Sequence, residues 1–197
     1  MSRYEGNDPY VEPETGVLRN KAGLRDQSAL DAFEADATAV RMLELVDRPL
    51  PGSFDLQHLC AIHRHLFQDV YDWAGNLRNV DISRNSSRFA NFGLIEAYLG
   101  GKLQGIATEG FLRDLEPSRF THQIARYMGE INAAHPFRDG NGRVQRMFCS
   151  QLADQAGYFI DFQTVDQTSM YAVMIASFNG DDKPLVNLLD AITAIVE

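Results

Sequence analysis

Apolar residues recur along most of the chain at spacings of three and four, the period of a helix with one buried face. Two stripes are especially regular: Phe120, Ile124, Met128 and Ile131, then Val144, Met147, Phe148 and Leu152. Further stripes around residues 30–40, 56–70, 170–178 and 185–195, and a weaker one over 95–106, predict further helices. The pattern therefore predicts an all-α fold.

Residues that favour helix ends stand beside several of these stripes. Ser28, with Asp31 three residues on, is expected to cap the first helix, and Asp55 to cap the second. Gly75 is the expected stop of the second helix, and Pro184 lies near the expected start of the last.

The segment Leu77–Phe92 departs from the helical period. Val80 and Ile82 alternate with polar residues, and Asn85-Ser86-Ser87 is a turn signal. The pattern is that of a short β-hairpin, although a plain surface loop fits it equally well. Because an isolated hairpin is only marginally stable, a hairpin here would need a packing partner or a ligand.

The composition narrows the class of protein. The chain has 197 residues, 45% of them apolar, with a net charge of −9, which suits one globular domain over residues 1–197. The negative charge argues against direct binding of nucleic acid. No apolar stretch would span a membrane and the start lacks a signal-peptide pattern, so a cytoplasmic location is expected. His63, on an apolar stripe, is expected to be a core histidine.

Candidate chemistry is concentrated in residues 135–146, which read His-Pro-Phe-Arg-Asp-Gly-Asn-Gly-Arg-Val-Gln-Arg and join two amphipathic helices. Gly140 and Gly142 flank Asn141, so the backbone can curl with its N–H groups pointing one way. The next helix starts there and favours an anion at its N-terminus. Arg143 and Arg146 share one side of its first turns. Together these features predict a polyphosphate site.

Two further residues of the segment suggest a reaction. Asp139 is out of place beside an anion unless a divalent cation such as Mg2+ is also held. His135 is the residue of the segment able to act as a base near neutral pH. A histidine at a helix end and a Gly-Asn-Gly turn are each usually structural. However, two arginines at a helix N-terminus are disfavoured without a bound anion or a carboxylate.

The segment resembles the signature of the Fic family, His-x-Phe-x-Asp/Glu-Gly-Asn-Gly-Arg-x-x-Arg, at every fixed position. Tyr71-Asp72-Trp73-Ala74-Gly75, Asp8-Pro9-Tyr10 and Leu18-Arg19-Asn20 also resemble Fic proteins, and short stand-alone toxins of toxin–antitoxin pairs look most similar. The resemblance implies a single Fic-fold helical domain with a β-hairpin flap at about 77–92 and a catalytic loop at 135–146.

The resemblance also implies a nucleotidyltransferase that moves AMP from ATP to a hydroxyl side chain of a target protein. His135 would deprotonate the hydroxyl, and Asp139 would hold Mg2+ on the phosphates. Gly140, Asn141 and Gly142 would cradle the phosphates through the backbone and the Asn141 side chain, and the β- and γ-phosphates would be bound by Arg143 and Arg146. Tyr171 would contact the adenine. The flap would dock the target at Ile82, Ser83 and Phe89.

Rival interpretations remain. Related enzymes transfer a phosphate or phosphocholine, but the death-on-curing kinases carry Ala and Lys where Gly140 and Gly142 stand. A catalytically silent binding module would usually have lost a signature residue, and none is missing here. Similar toxins modify type II topoisomerase subunits, which makes these the first candidate targets.

Restraint of the activity is expected to come from a partner. Many Fic proteins carry an inhibitory helix, Ser/Thr-x-x-x-Glu-Gly/Asn, whose Glu pairs with the second signature arginine, here Arg146. Only Glu5 and Glu109 are followed by Gly or Asn, and Met1 and Gly105 stand four residues before them. The resemblance therefore implies a separate small antitoxin that supplies the inhibitory Glu.

Overall fold

A computed structural model describes residues 8–84 and 87–196 of the chain. Within these ranges the fold is mostly helical, and the all-α prediction is confirmed. The helices are α1 (Gln27–Asp47), α2 (Leu56–Phe67), α3 (Ile95–Thr108), α4 (Pro117–Ala134), α5 (Asn141–Gln155), α6 (Gln167–Phe178) and α7 (Lys183–Ile192). The short strands are β1 (Ser83–Arg84), β2 (Ser87–Arg88), β3 (Tyr158–Ile160) and β4 (Thr193–Ile195).

Helices α4 and α5 form the centre of the molecule. The two regular stripes of the sequence are the buried faces of these helices: Phe120, Ile124, Met128 and Ile131 on α4, and Val144, Met147, Phe148 and Leu152 on α5. Helix α4 packs against α3, α5, α6 and α7, and α5 packs against α2. The α4–α5 connection, which holds the signature segment, is thereby fixed at both ends by buried helices.

Helix boundaries agree with the sequence in part. Asp55 caps α2 as expected, its carboxylate accepting the N–H of His58 at 2.9 Å. Helix α1 starts two residues earlier than expected, because Asp26 caps it by accepting the N–H of Ala29, and Ser28 lies inside the first turn. Helix α2 ends at Phe67, well before Gly75, which lies in a later turn at φ +86°.

The C-terminal stripe was expected to be one helix reaching Ile195. Instead α7 ends at Ile192, and β4 pairs antiparallel with β3 in the register Tyr158↔Ile195 and Ile160↔Thr193. Three-residue strands are too short to show an alternating pattern, so this small sheet could not be recognised from sequence.

The hairpin prediction is confirmed, with a ladder of only two residue pairs, Ser83↔Arg88 and Arg84↔Ser87. The expected turn residues Asn85 and Ser86 lie outside the described residues. Next to the ladder, the Ala90 N–H donates to Ala133 O at 3.1 Å, which attaches the hairpin to the C-terminal end of α4.

No helix within residues 8–84 and 87–196 is long and apolar enough to cross a membrane.

Candidate active site

His135 directly follows α4 and has a left-handed backbone, with φ 44° and ψ 64°. Its N–H still donates to Ile131 O at 2.9 Å, so it caps the helix and turns the chain away. Such a conformation is strained for a residue with a side chain and is common at functional sites. The imidazole ring stacks on Phe89 at the base of the hairpin, with centroids 3.8 Å apart and planes 14° apart.

The loop after His135 is fixed by buried side chains. Phe137 is 1% exposed and anchors the loop in the core. The Asn141 side chain accepts the Phe137 N–H at 2.9 Å and donates to the Phe137 carbonyl at 2.8 Å. The structure therefore uses this amide to brace the loop, whereas the sequence analysis assigned it to the phosphates.

His63 holds the other side of the loop, and its expected place in the core is confirmed. Its Nδ1 accepts the Gly75 N–H at 2.8 Å, so the neutral ring carries its proton on Nε2, which lies 3.2 Å from Asp139 O. The ring also stacks on Phe137 at 3.9 Å. Burial lowers the pKa of His63 to about 3, so the ring stays neutral at physiological pH.

Gly140 is the N-cap residue of α5, with φ +80°. A Cβ added there would lie 2.3 Å from Cζ of Phe67, so glycine is required both by conformation and by space. Glycine also has no side chain with which to cap the helix. The first N–H groups of α5 are thus left for another acceptor, as at a phosphate-binding helix N-terminus.

Arg143 points from α5 toward α1. Its guanidinium donates to Glu34, donates to Thr38 Oγ1 at 3.1 Å and lies 4.7 Å from the centroid of the Phe67 ring. The Tyr71 hydroxyl donates to the other oxygen of Glu34. Burial, followed by the Glu34 charge, raises the pKa of Tyr71, which therefore remains a donor. Glu34 was not predictable as part of the site, because only folding brings α1 beside α5.

Arg146 is half-buried one turn further along α5, and its guanidinium curls back toward the start of the helix. A Cβ at Gly142 would lie 3.3 Å from its Nη1 atom. Among residues 8–84 and 87–196, no carboxylate lies within ion-pair distance of Arg146. Burial, followed by repulsion from Arg143, lowers the pKa of Arg146. A half-buried cation at a helix N-terminus without an acidic partner is a site suited to an anion.

Asp139 and Tyr171 lie at the rim of the site. The Asp139 side chain is 47% exposed, accepts the N–H of Gly140 and lies 3.9 Å from Arg143 Nη2. Tyr171 on α6 is 40% exposed, interacts electrostatically with Arg146, and its hydroxyl accepts from Gln167 at 2.9 Å. No group of three metal-ligating side chains occurs in the described part of the chain. Asp139 alone therefore fits Mg2+ only if phosphate and water oxygens complete its coordination.

The N-terminal segment that resembled Fic proteins also supports the loop. Asp8 pairs with Arg138 at 2.9 Å, and both side chains are almost fully buried. The Tyr10 hydroxyl accepts the N–H of Asn79 at 3.2 Å. The resemblance at the start of the chain thus falls on residues that pack around the signature segment.

A sequence model described as the Fic/DOC family matches residues 53–153. Over 92% of its length the chain is 46% identical to protein adenylyltransferase VbhT of Bartonella schoenbuchensis, of which it spans only 38%. It is 40% identical to the "Probable protein adenylyltransferase Fic" of Escherichia coli, matching 90% of this chain and 88% of that one.

A solved structure with the same fold is the BepC protein of Bartonella tribocorum with bound AMPPNP. It covers 95% of this chain and 97% of its own, at 27% identity and a TM-score of 0.89. The N-terminal Fic domain of a Bep effector from Bartonella quintana, with bound ADP, gives a TM-score of 0.89 at 29% identity, covering 95% of each chain.

Proposed function

The chain belongs to the Fic/DOC family, and we propose that it is an adenylyltransferase that moves AMP from ATP to a hydroxyl side chain of another protein. The observation that carries the proposal is the position of Arg146, a half-buried cation beside the free N-terminus of α5. His135 lies at the other end of the same short loop. An anion site and a base are thus held by one rigid connection. Relatives that match most of this chain are named protein adenylyltransferases.

In the proposed reaction, neutral His135 takes the proton of the target hydroxyl. The oxygen forms a bond to the α-phosphorus of ATP while the bond from that phosphorus to the bridging oxygen of pyrophosphate breaks. AMP remains on the target and pyrophosphate leaves with the electron pair. Phosphoryl-type transfer depends mainly on positioning and charge stabilisation, which a rigid loop between buried helices provides.

The phosphates would lie on the N-terminus of α5. The backbone N–H groups at Gly140, Asn141 and Gly142 would form the cradle, with the Gly140 N–H exchanging the Asp139 carboxylate for a phosphate oxygen, and Arg146 would bind the terminal phosphates. Arg143 reaches them from a fixed position set by Glu34 and Thr38. Mg2+, held by Asp139 together with phosphate oxygens, would neutralise the developing charge. Tyr171 remains a candidate adenine contact because its aromatic ring is 40% exposed at the rim of the site.

The flap is proposed to bind the target. The β1–β2 ladder is short, and Ser83 is exposed, so an extended target segment could extend this edge by β-augmentation near Ile82, Ser83 and Phe89. Phe89 contacts the His135 ring, so a hydroxyl on such a segment would be presented to the base. Subunits of type II topoisomerases remain the first candidate targets, and use of ATP suits a cytoplasmic protein.

Control by a separate antitoxin belongs to the same proposal. A carboxylate from a partner would complete the Arg146 site by a bidentate ion pair and displace the terminal phosphate. We propose that residues 1–197 form a single Fic domain with its catalytic loop at 135–146. Phosphate transfer of the kind made by the death-on-curing kinases is less well supported. Those enzymes carry Ala and Lys where Gly140 and Gly142 stand, and such side chains would crowd Phe67 and Arg146 here.

The test compares His135→Ala with His122→Ala; His122 is an exposed histidine on α4 whose ring bonds to Ser118 O of the preceding turn. Each variant is incubated with bacterial lysate and ATP labelled at the α- or the γ-phosphate. His135→Ala should lose about 10²- to 10⁴-fold in transfer of the α-label, and His122→Ala should not. Transfer of the γ-label instead would indicate a kinase. Equal labelling by both variants would refute His135 as the base, and no labelling by the wild type would favour a silent binding module.

A further inference from the structure

Arg78 lies just before the hairpin, and its side chain is completely buried. The guanidinium donates to four backbone carbonyls: Val80 at 2.6 Å, His135 at 2.8 Å, Ala134 at 3.1 Å, and Ala90. Val80 and Ala90 stand on the two sides of the hairpin base, and Ala134 and His135 end α4. One side chain therefore joins the flap to the residue that carries the proposed base.

Only arginine suits this position. Its planar guanidinium presents five donors in a fixed fork, whereas lysine has one compact ammonium that cannot reach carbonyls in several directions at once. The Arg78 backbone adds a fifth bond, from its N–H to Pro136 O at 2.9 Å. These five bonds form a junction between the hairpin base and residues 134–136, and the junction fixes the chain on both sides of the His135 side chain.

The surroundings stabilise the buried charge. The carbonyls of Ala134 and His135 are at the C-terminus of α4, where the helix dipole favours a cation. The Asp81 carboxylate lies 3.8 Å from Nη1 of Arg78 and also accepts the N–H of Phe92 at 2.8 Å. The Asp81 bonds hold the far side of the hairpin base, so both strands of the flap depend on this junction.

We propose that Arg78 is a positioning residue for the transfer step, holding the His135 ring in its stacked position against Phe89 at the base of the flap. The inference rests on the proposed function. Phe89 precedes Ala90, whose carbonyl and N–H are both fixed to this junction, through Arg78 and Ala133 respectively. Because the guanidinium of Arg78 bonds to the hairpin base and to the end of α4, its loss should spare ATP binding at α5 and slow transfer.

The test substitution is Arg78→Lys, which keeps the charge and removes the fork. The matched control is Leu185→Ala, which removes a fully buried side chain of α7 and lowers stability without touching the junction. ATP affinity is measured by calorimetry, and transfer by labelled self-modification at saturating ATP. The His135 ring signals in NMR spectra report the stacking on Phe89, and amide exchange at Ala90 reports the junction itself. If Arg78→Lys does not fold, the same measurements are made on Arg78→Gln.

The expected result is a fall of about 10- to 100-fold in the transfer rate of the Arg78 variant, with ATP affinity changed by less than about threefold. The His135 signals should move downfield as ring stacking is lost, and Ala90 should exchange faster, while Leu185→Ala shows neither change. A rate no lower than that of Leu185→Ala, or unchanged His135 signals, would overturn the proposal. If wild-type protein transfers nothing, the NMR and exchange results still decide the positioning role separately from the proposed function.

Discussion

Replacing Gly140 by alanine tests whether the shape of the loop is set by Phe67. Gly140 has φ +80°, and an added Cβ would lie 2.3 Å from Cζ of Phe67. A left-handed alanine costs about 1–2 kcal/mol, and the overlap with a buried ring adds about 1–3 kcal/mol. The control is Gly157→Ala, because Gly157 has φ +85° but nothing within 4 Å of the added Cβ.

The difference between the two variants isolates the overlap from the backbone strain. It should appear as a Tm lower for Gly140→Ala than for Gly157→Ala by about 2–12 °C, since 1 kcal/mol shifts Tm by about 2–4 °C at this chain length. Calorimetry measures both values, and the double variant Phe67→Leu/Gly140→Ala should recover part of the loss. Equal Tm values for the two alanine variants would refute the packing argument.

Three further predictions follow from the site. His63 takes up a proton below its ordinary pKa of 6.5 in the unfolded chain but only near its pKa of about 3 in the folded chain, so the free energy of unfolding should fall with pH, by about 2 kcal/mol at pH 5. Denaturant titrations at several pH values should show a smaller dependence of this free energy on pH for His63→Gln than for the wild type. Equal pH dependence in the two proteins would show that His63 does not cause the loss. Asp139→Asn should raise the Mg2+ concentration needed for half-maximal transfer, whereas Asp154→Asn, at the far end of α5, should leave it unchanged; identical Mg2+ titrations would give Asp139 another role. Ser83→Pro removes a backbone donor of the flap and should weaken target labelling more than self-modification; an equal loss of both would argue against docking on the flap.

The signature segment was predictable because its chemistry is local. His135, Asp139, Gly140 and the arginines lie within residues 135–146, and the two helices that flank them are strongly periodic. The stop of α4 and the start of α5 therefore followed from sequence. The order of residues 135–146 along the chain also determines which of their groups lie at the N-terminus of α5.

The supporting contacts were not predictable, because they join residues far apart in the chain. Glu34 reaches Arg143 from α1, and Arg78 reaches His135 from the base of the hairpin. A charged residue on an amphipathic stretch is usually an exposed one, so its burial gives no signal in sequence. Val40 shows the converse: it ends the apolar stripe over residues 30–40, which predicted a buried face, yet it is 59% exposed on α1.

The buried polar side chains around the signature segment bond to its backbone, and this support is separate from the proposed anion site. Backbone groups between residues 134 and 139 are bonded by the side chains of Asn141, His63 and Arg78. Each such group would be costly to bury without these bonds, so the bonds and the loop conformation require one another. The conformation that results leaves the α5 N-terminus and Arg146 available to an anion before any ligand arrives. An anion that binds there pays little for ordering the loop, and its binding energy remains available for the step at His135.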